Sequence, residues 1–275
     1  MSATELQRVV VRMLHDPALV AAVYADADAA LAGVPLSATE RAWLVAPDRR
    51  RWGADPHRRA RQLHALLDEY PASGALAGRG VGVARLDAFF SSSAFHGCIQ
   101  ARGSLALAFG AYLADLGVDV AAVARIEWAV ARVRRAPPRP IVASSFVADS
   151  PDVAWRLAPW VDAFVAAPGA LRRQQQLAAW ATSHPQGAVG ALLDPTWRLP
   201  PAPEADAPTG LLVERGVAGG VGIGEVDADL AALLADRRAR TAGALIDALV
   251  ALGAGSDEAP TLAAEMVTDA LLIPA

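Results

Sequence analysis

Leu211-Leu212-Val213-Glu214-Arg215, Gly216-Val217-Ala218-Gly219-Gly220 and Val221-Gly222-Ile223-Gly224-Glu225-Val226 follow one another without interruption. Two apolar, strand-prone runs flanking a glycine-rich turn form the pattern of a β-hairpin. Upstream, the proline-rich Leu199–Pro208 closes off what precedes it. Downstream come three helical patterns. Asp227 stands in N-cap position before Leu230, Leu233 and Leu234. Thr241 precedes a stripe of Leu245, Ile246, Leu249 and Val250 that Gly253 ends. Ser256 is expected to cap a last helix that buries Leu262, Ala263, Met266, Val267 and Ala270. Glu258, Thr261, Glu265 and Asp269 are left on its outer face, and Leu271-Leu272-Ile273 returns to the core. A hairpin followed by three helices predicts a winged-helix-like module over residues 209–275.

A winged helix that reads DNA needs cations on the helices it presents. From Thr241 to Ala275 there is no Arg or Lys, against Asp247, Asp257, Glu258, Glu265 and Asp269. The net charge of −4 is distributed unevenly: residues 210–275 hold 4 Arg and 10 acids, a balance of −6, and the remainder 21 Arg and 19 acids, a balance of +2. Such a surface repels phosphate, so no nucleic-acid partner is expected and an extended peptide is the natural candidate. Gly222 and Gly224 alternate on one strand face and permit close approach of another backbone. They do not form a phosphate loop, because they lie within a strand and no Lys follows.

The first 135 residues predict an all-helical domain. Thr4 can cap a helix through His15, with Leu6, Val9, Val10, Met13 and Leu14 on one face. Asp16-Pro17 is a cap followed by proline, opening a helix toward Leu31. Ser37-Ala38-Thr39-Glu40 is a capping box. Asp55-Pro56 repeats the cap-plus-proline device for a helix to Tyr70, stopped by Pro71. Leu86–Leu116 holds one or two apolar helices and Val118–Arg135 another. Residues 136–208 read as a connecting region with a proline-rich end. Within it, 141–147 suit a strand or connector, and Ser150-Pro151-Asp152 starts a helix carrying Trp155, Trp160 and Phe164. Gly169–Thr182 is a further helix, and Ala188–Leu193 suits a strand. The fold class expected is α+β, mostly α.

Composition narrows the chemistry. Lys and Asn are both absent, so Schiff-base, P-loop and lysine general-base chemistry is closed to this chain. The single Cys98 excludes an internal disulfide and fits a reducing cytoplasm. No secretory signal and no membrane-length apolar run is apparent. His57 and His64, seven apart on one helix, are poorly spaced to share a metal ion. His96 beside Cys98 is a weak pair for nucleophilic catalysis, and Ser91-Ser92-Ser93 lacks the setting of a nucleophile elbow. No catalytic or metal-ligating set is therefore assigned. Arg49-Arg50-Arg51 with Arg58, Arg59 and Arg61 read first as a solvated face. Their second reading is a docking surface for an acidic protein, with Arg51 and Arg58 around an aromatic anchor, Trp52.

Leu14-His15-Asp16-Pro17, Leu36-Ser37-Ala38-Thr39-Glu40-Arg41, Leu66-Leu67-Asp68-Glu69-Tyr70-Pro71, and Phe89-Phe90 through Ala108-Phe109-Gly110-Ala111-Tyr112 carry a family likeness. They resemble the small partner proteins of multinuclear non-haem iron oxidases of the methanobactin and thiaglutamate type. The C-terminal part of that family is similar to the recognition element that binds leader peptides of ribosomally made natural products. The resemblance implies a non-catalytic subunit without a cofactor of its own. Its partners would be the oxidase, which holds the iron, and a precursor peptide. It further implies that a peptide strand pairs with Val221–Val226 and packs on Glu258–Asp269, with Val221, Ile223, Glu225, Glu258, Leu262 and Glu265 as contacts. Two rival expectations stand beside it: a winged-helix transcription regulator, and a stand-alone metal enzyme using His57, His64 or Cys98.

Overall fold

A computed structural model describes residues 3–53, 55, 57–140, 153–204 and 207–275. The fold is α+β and mostly helical, with two three-stranded antiparallel sheets. It divides into two units, 1–128 with 174–201, and 129–173 with 202–275. The segment expected as a connecting region is thus shared between them.

The first unit begins with α1 (Ala3–His15), α2 (Pro17–Ala25), α3 (Ala27–Ala30) and α4 (Ala38–Val45). Local sequence sets these boundaries. Asp16 caps α2 through a 3.0 Å bond from the Ala18 N–H. The helix ends at Ala25 rather than near Leu31, because Asp26 accepts from Ala29 N–H at 2.9 Å and opens α3. The Ser37–Glu40 box closes from both sides, Ser37 N–H to Glu40 Oε2 at 2.8 Å and Glu40 N–H to Ser37 Oγ at 3.2 Å. A 3₁₀ turn, Arg49–Gly53, precedes α5 (Arg58–Glu69). Pro71 does stop α5, and it also opens α6 (Pro71–Gly80), where its missing N–H costs nothing. There follow α7 (Val83–Asp87), a 3₁₀ turn (Ala88–Ser91), α8 (Ser93–Ala101), α9 (Leu105–Ala114) and α10 (Val118–Arg134). Tyr70, Phe89, Phe95 and Phe109 are all fully buried, with ring centroids 5.1 Å apart for Phe89–Phe109 and 5.7 Å for Tyr70–Phe109. Gly110 makes room for this cluster: a Cβ there would meet Tyr70 ring atoms at 2.7 and 2.8 Å.

After α10 come β1 (Ala154–Leu157) and β2 (Val161–Ala166), then α11 (Ala170–Ser183) and α12 (Gly187–Leu193). The proposed strand at 141–147 and helix start at 150–152 lie outside the described residues. Trp155, Trp160 and Phe164 are not on a helix. Trp155 and Leu157 are buried while Arg156 between them is exposed, the period of two that a strand requires. Residues 188–193 are the reverse case, a helix whose Ala-rich run also satisfies helical propensity.

The second unit continues with β3 (Thr209–Arg215), β4 (Val221–Val226), α13 (Ala228–Ala235), β5 (Arg240–Thr241), α14 (Ala242–Ala251), α15 (Ala259–Thr268) and β6 (Leu272–Pro274). The hairpin and three helices occur in the expected order, but two strands from outside 209–275 complete the sheets. Their orders are β2-β3-β4 and β5-β1-β6. Trp155, Trp160, Leu245, Leu249, Met266, Val267 and Leu272 share one buried core. Asp227 and Thr241 cap α13 and α14 as expected, and Gly253 (φ 101°) ends α14. Ser256 does not cap α15. The helix starts later, which places Pro260 in the first turn where its fixed φ is favourable. Ala259, Ala263, Met266 and Val267 then form the buried stripe, and Leu262 is 38% exposed instead of buried.

Asp162 on β2 is buried and joined to Arg132 Nε at 3.2 Å and Arg237 Nη2 at 2.7 Å. Gly210 on β3 lies against backbone: an added Cβ would overlap Asp227 O and meet Val226 O at 2.7 Å. Gly210→Ala should therefore destabilise this unit by about 1–3 kcal/mol. Urea titration checks this, and an unchanged midpoint would contradict the close approach.

Candidate peptide-binding edge

Among the described residues β4 is the last strand of its sheet and pairs only with β3. The phase of that pairing decides which backbone groups remain open. Gly216 N–H donates to Gly220 O at 2.8 Å across the turn, so that pair is hydrogen-bonded and bonded and non-bonded pairs alternate from it. Glu214–Gly222, Leu212–Gly224 and Gly210–Val226 exchange the ladder bonds, and Arg215–Val221, Val213–Ile223 and Leu211–Glu225 do not. Arg215 agrees with this phase, since its N–H donates away from β4 to Trp160 O at 3.0 Å. Val221, Ile223 and Glu225 consequently turn both N–H and C=O toward the open side.

The side chains of these three residues share a face with Leu211 and Val213, which are fully buried. At the edge the cover is incomplete, and Ile223 is 37% exposed. On the opposite face Gly222 and Gly224 present no side chain, and a Cβ at either would meet nothing within 4 Å. A second backbone has room to approach.

The remaining expected contacts, Glu258, Leu262 and Glu265, lie together on the exposed side of α15. α15 packs on α14 and β6, whereas the helix laid against β2 and β3 is α13. The structure thus gathers the six residues as two sets on separate elements of one unit. The outer face of α15, with Glu258, Glu265 and Asp269 exposed, is acidic.

In the first unit Arg51 is exposed on the 3₁₀ turn, while Arg58 donates to Leu14 O at 3.1 Å. Trp52 is half-buried against the Val9–Leu44 core, and its Nε1–H donates to Tyr24 Oη at 3.1 Å. Tyr24 carries no signal of this role in the sequence. It is anchored to Pro47 O and holds the ring of Trp52 in place.

Two of the candidate catalytic groups, Ser91 and His96, meet the carboxylate of Asp16. Ser91 Oγ donates to Asp16 Oδ1 at 3.0 Å, so its proton is held by the capping carboxylate and not by an imidazole. His96 Nε2 lies 3.1 Å from Asp16 Oδ2, yet burial and the nearby Arg12 lower its pKa despite that carboxylate. Cys98 is buried, which raises its thiol pKa. His57 is exposed before α5, and His64 lies 3.9 Å from Asp68. Among the described residues no group of three or more His, Cys, Asp or Glu is placed to hold a metal ion, and no helix is long and apolar enough to cross a membrane. Compared with protein-family models the chain gives no match, and it gives none among curated proteins.

Proposed function

We propose that this chain is a non-catalytic recognition subunit. It holds the leader of a precursor peptide as an added strand on β4 and presents it to a partner enzyme. From the family resemblance, that partner is a multinuclear iron oxidase. The observation that carries the reading is the row of outward N–H and C=O groups at Val221, Ile223 and Glu225 on an edge that no other described strand covers. Strand addition of this kind takes affinity from main-chain bonds and specificity from alternate side chains. Three N–H and three C=O groups at ~1 kcal/mol each give about 6 kcal/mol. Micromolar binding needs about 8 kcal/mol. Apolar side chains of the peptide, set beside Val221 and Ile223, would supply the rest. The acidic outer face of α15 weighs against DNA as the partner.

A proline substitution tests the edge cleanly because the two residue phases differ. Ile223→Pro removes an outward N–H and spares the β3–β4 ladder, whereas Gly224→Pro removes a ladder donor. In co-expression with a multinuclear iron oxidase and its precursor peptide from the same genome, the tagged chain should recover both. The I223P variant should keep its circular dichroism and the oxidase, and lose peptide affinity at least tenfold. Equal peptide recovery by I223P and the parent would remove β4 as the site, and recovery of neither partner by the parent would remove the reading itself.

A further inference from the structure

A concavity lies in the first unit, far in sequence from β4 and independent of its function. It encloses about 540 Å³ between the end of α1, the start of α2, the Arg49–Gly53 turn and the start of α5. Ligand pockets for small molecules occupy roughly 300–1,000 Å³, with apolar walls and a few placed polar groups. This one fits that description. Met13 and Val20 form a buried floor, and Leu14, Pro17 and the ring of Trp52 continue the apolar wall.

The charged lining is unbalanced. Arg49, Arg50, Arg58 and Arg59 face Asp48 and Asp55, four cations against two anions. The two carboxylates are already engaged, Asp55 with Arg61 at 2.5 Å and Asp48 with the Arg50 N–H at 2.8 Å. Arg59 is held by Asp87, with Nε to Oδ1 at 2.9 Å. Arg49, Arg50 and Arg58 have no ion-pair partner among the described residues. His15 adds a polar atom to the wall: stacked on Phe90 at 5.4 Å between ring centres, it keeps a buried Nδ1 with no hydrogen-bond partner among the described residues. Its burial, and then Arg58 and Arg59, lower its pKa, so that it adds no further positive charge at neutral pH.

We propose that this pocket binds a small amphipathic organic anion, its apolar body on Met13, Val20 and Trp52 and its anionic head at Arg49, Arg50 and Arg58. The volume suits a free small molecule, and the surplus of cations over available carboxylates fixes the sign of the ligand. Neither point depends on the peptide edge.

Two dyes of similar aromatic body separate charge from greasiness. 8-Anilinonaphthalene-1-sulfonate carries an anionic head, and N-phenyl-1-naphthylamine carries none. The full-length chain should bind the sulfonate at one site, at least tenfold more tightly than the uncharged dye, with affinity falling as salt is raised. Arg49→Gln with Arg58→Gln should weaken the sulfonate at least tenfold and leave the uncharged dye within twofold. Gly53→Trp should weaken both dyes at least tenfold. A Cβ at Gly53 meets nothing within 4 Å, so the new ring can enter the pocket without displacing backbone. Circular dichroism accompanies each variant. The single Arg49→Gln, on the exposed rim, repeats the charge comparison if the double variant loses helix. Equal binding of both dyes by the parent, or undiminished sulfonate binding by the arginine variants, would overturn the anion site. Undiminished binding by G53W would place the dye elsewhere and overturn the pocket.

Discussion

Asp162→Ala is expected to lower the stability of the second unit by about 3–5 kcal/mol, the range for removing one member of a buried charge cluster. The Asp162 side chain is 3% exposed and lies between Arg132, 18% exposed, and Arg237, 46% exposed. Arg132 also donates to Val161 O at 2.5 Å, which fixes it beside β2. Alanine takes the Asp162 carboxylate away from a guanidinium that is largely desolvated, whereas Arg237 is exposed enough to turn to water. The loss is therefore carried chiefly by Arg132. Urea unfolding followed by tryptophan fluorescence reads it, since Trp155 and Trp160 belong to the core of this unit. Combining Asp162→Leu with Arg132→Met should restore much of the loss, because an apolar set of similar volume avoids the desolvation of the charges. A cost below about 1 kcal/mol for D162A would show that the cluster is solvated.

Glu127 sets a pH dependence of similar size in the first unit. Its carboxylate is buried on α10 and accepts from Ala72 N–H and Ser73 N–H, both at 2.9 Å, and from the Ser73 hydroxyl. It thereby caps the N-terminus of α6 from 54 residues away in sequence. Burial raises its pKa to about 7 from an ordinary 4.5, and the hydrogen bonds from Ser73, Ala72 and Gln174 recover only part of the shift. Because the folded pKa is the higher one, the folded state holds the proton more tightly. Below pH 4.5 the group costs nothing, stability falls as pH rises from 4.5 to about 7, and above that the full cost is present. That cost is roughly 3 kcal/mol, from a shift of about 2.5 units at 1.36 kcal/mol each. Glu127→Gln cannot ionise. The stability of the parent minus that of E127Q, from urea titrations at pH 4 to 8, should therefore drop by roughly 3 kcal/mol across the series. Parallel profiles would mean that Glu127 is not buried in solution.

What could be read in the sequence was what neighbouring residues settle among themselves. Asp16-Pro17, Ser37 with Glu40, Asp227, Thr241 and Gly253 act within a turn of chain, and the structure places all of them at helix ends. The glycine-rich turn likewise marked the β3–β4 hairpin, and with it the candidate edge. Trp155, Trp160 and Phe164 misled because intervals of five and four resemble a helical face. The spacing arises instead from two short strands separated by a turn, each buried in its own sheet. The third strand of the hairpin sheet could not be read, since β2 meets β3 only after α11 and α12 intervene. The arginine run at 49–61 and the segment Leu14–Pro17 are each visible in the sequence, but the convergence of Leu14, His15 and Pro17 with Arg49, Arg50, Arg58 and Arg59 on one cavity is a property of packing. Glu127 carries no local signal at all, because its partners are the backbone of a distant helix.

The detour between β2 and β3 also bears on how the molecule assembles. β3 and β4 close over a five-residue turn, Gly216–Gly220, whereas β2 reaches β3 only after residues 167–208 have been looped out. The difference in loop-closure entropy is about 2 kcal/mol, which favours closure of the hairpin ahead of β2 docking. Until it does, the nascent hairpin is bare along both flanks. A growing chain would meet its first competitor for strand pairing in another copy of itself.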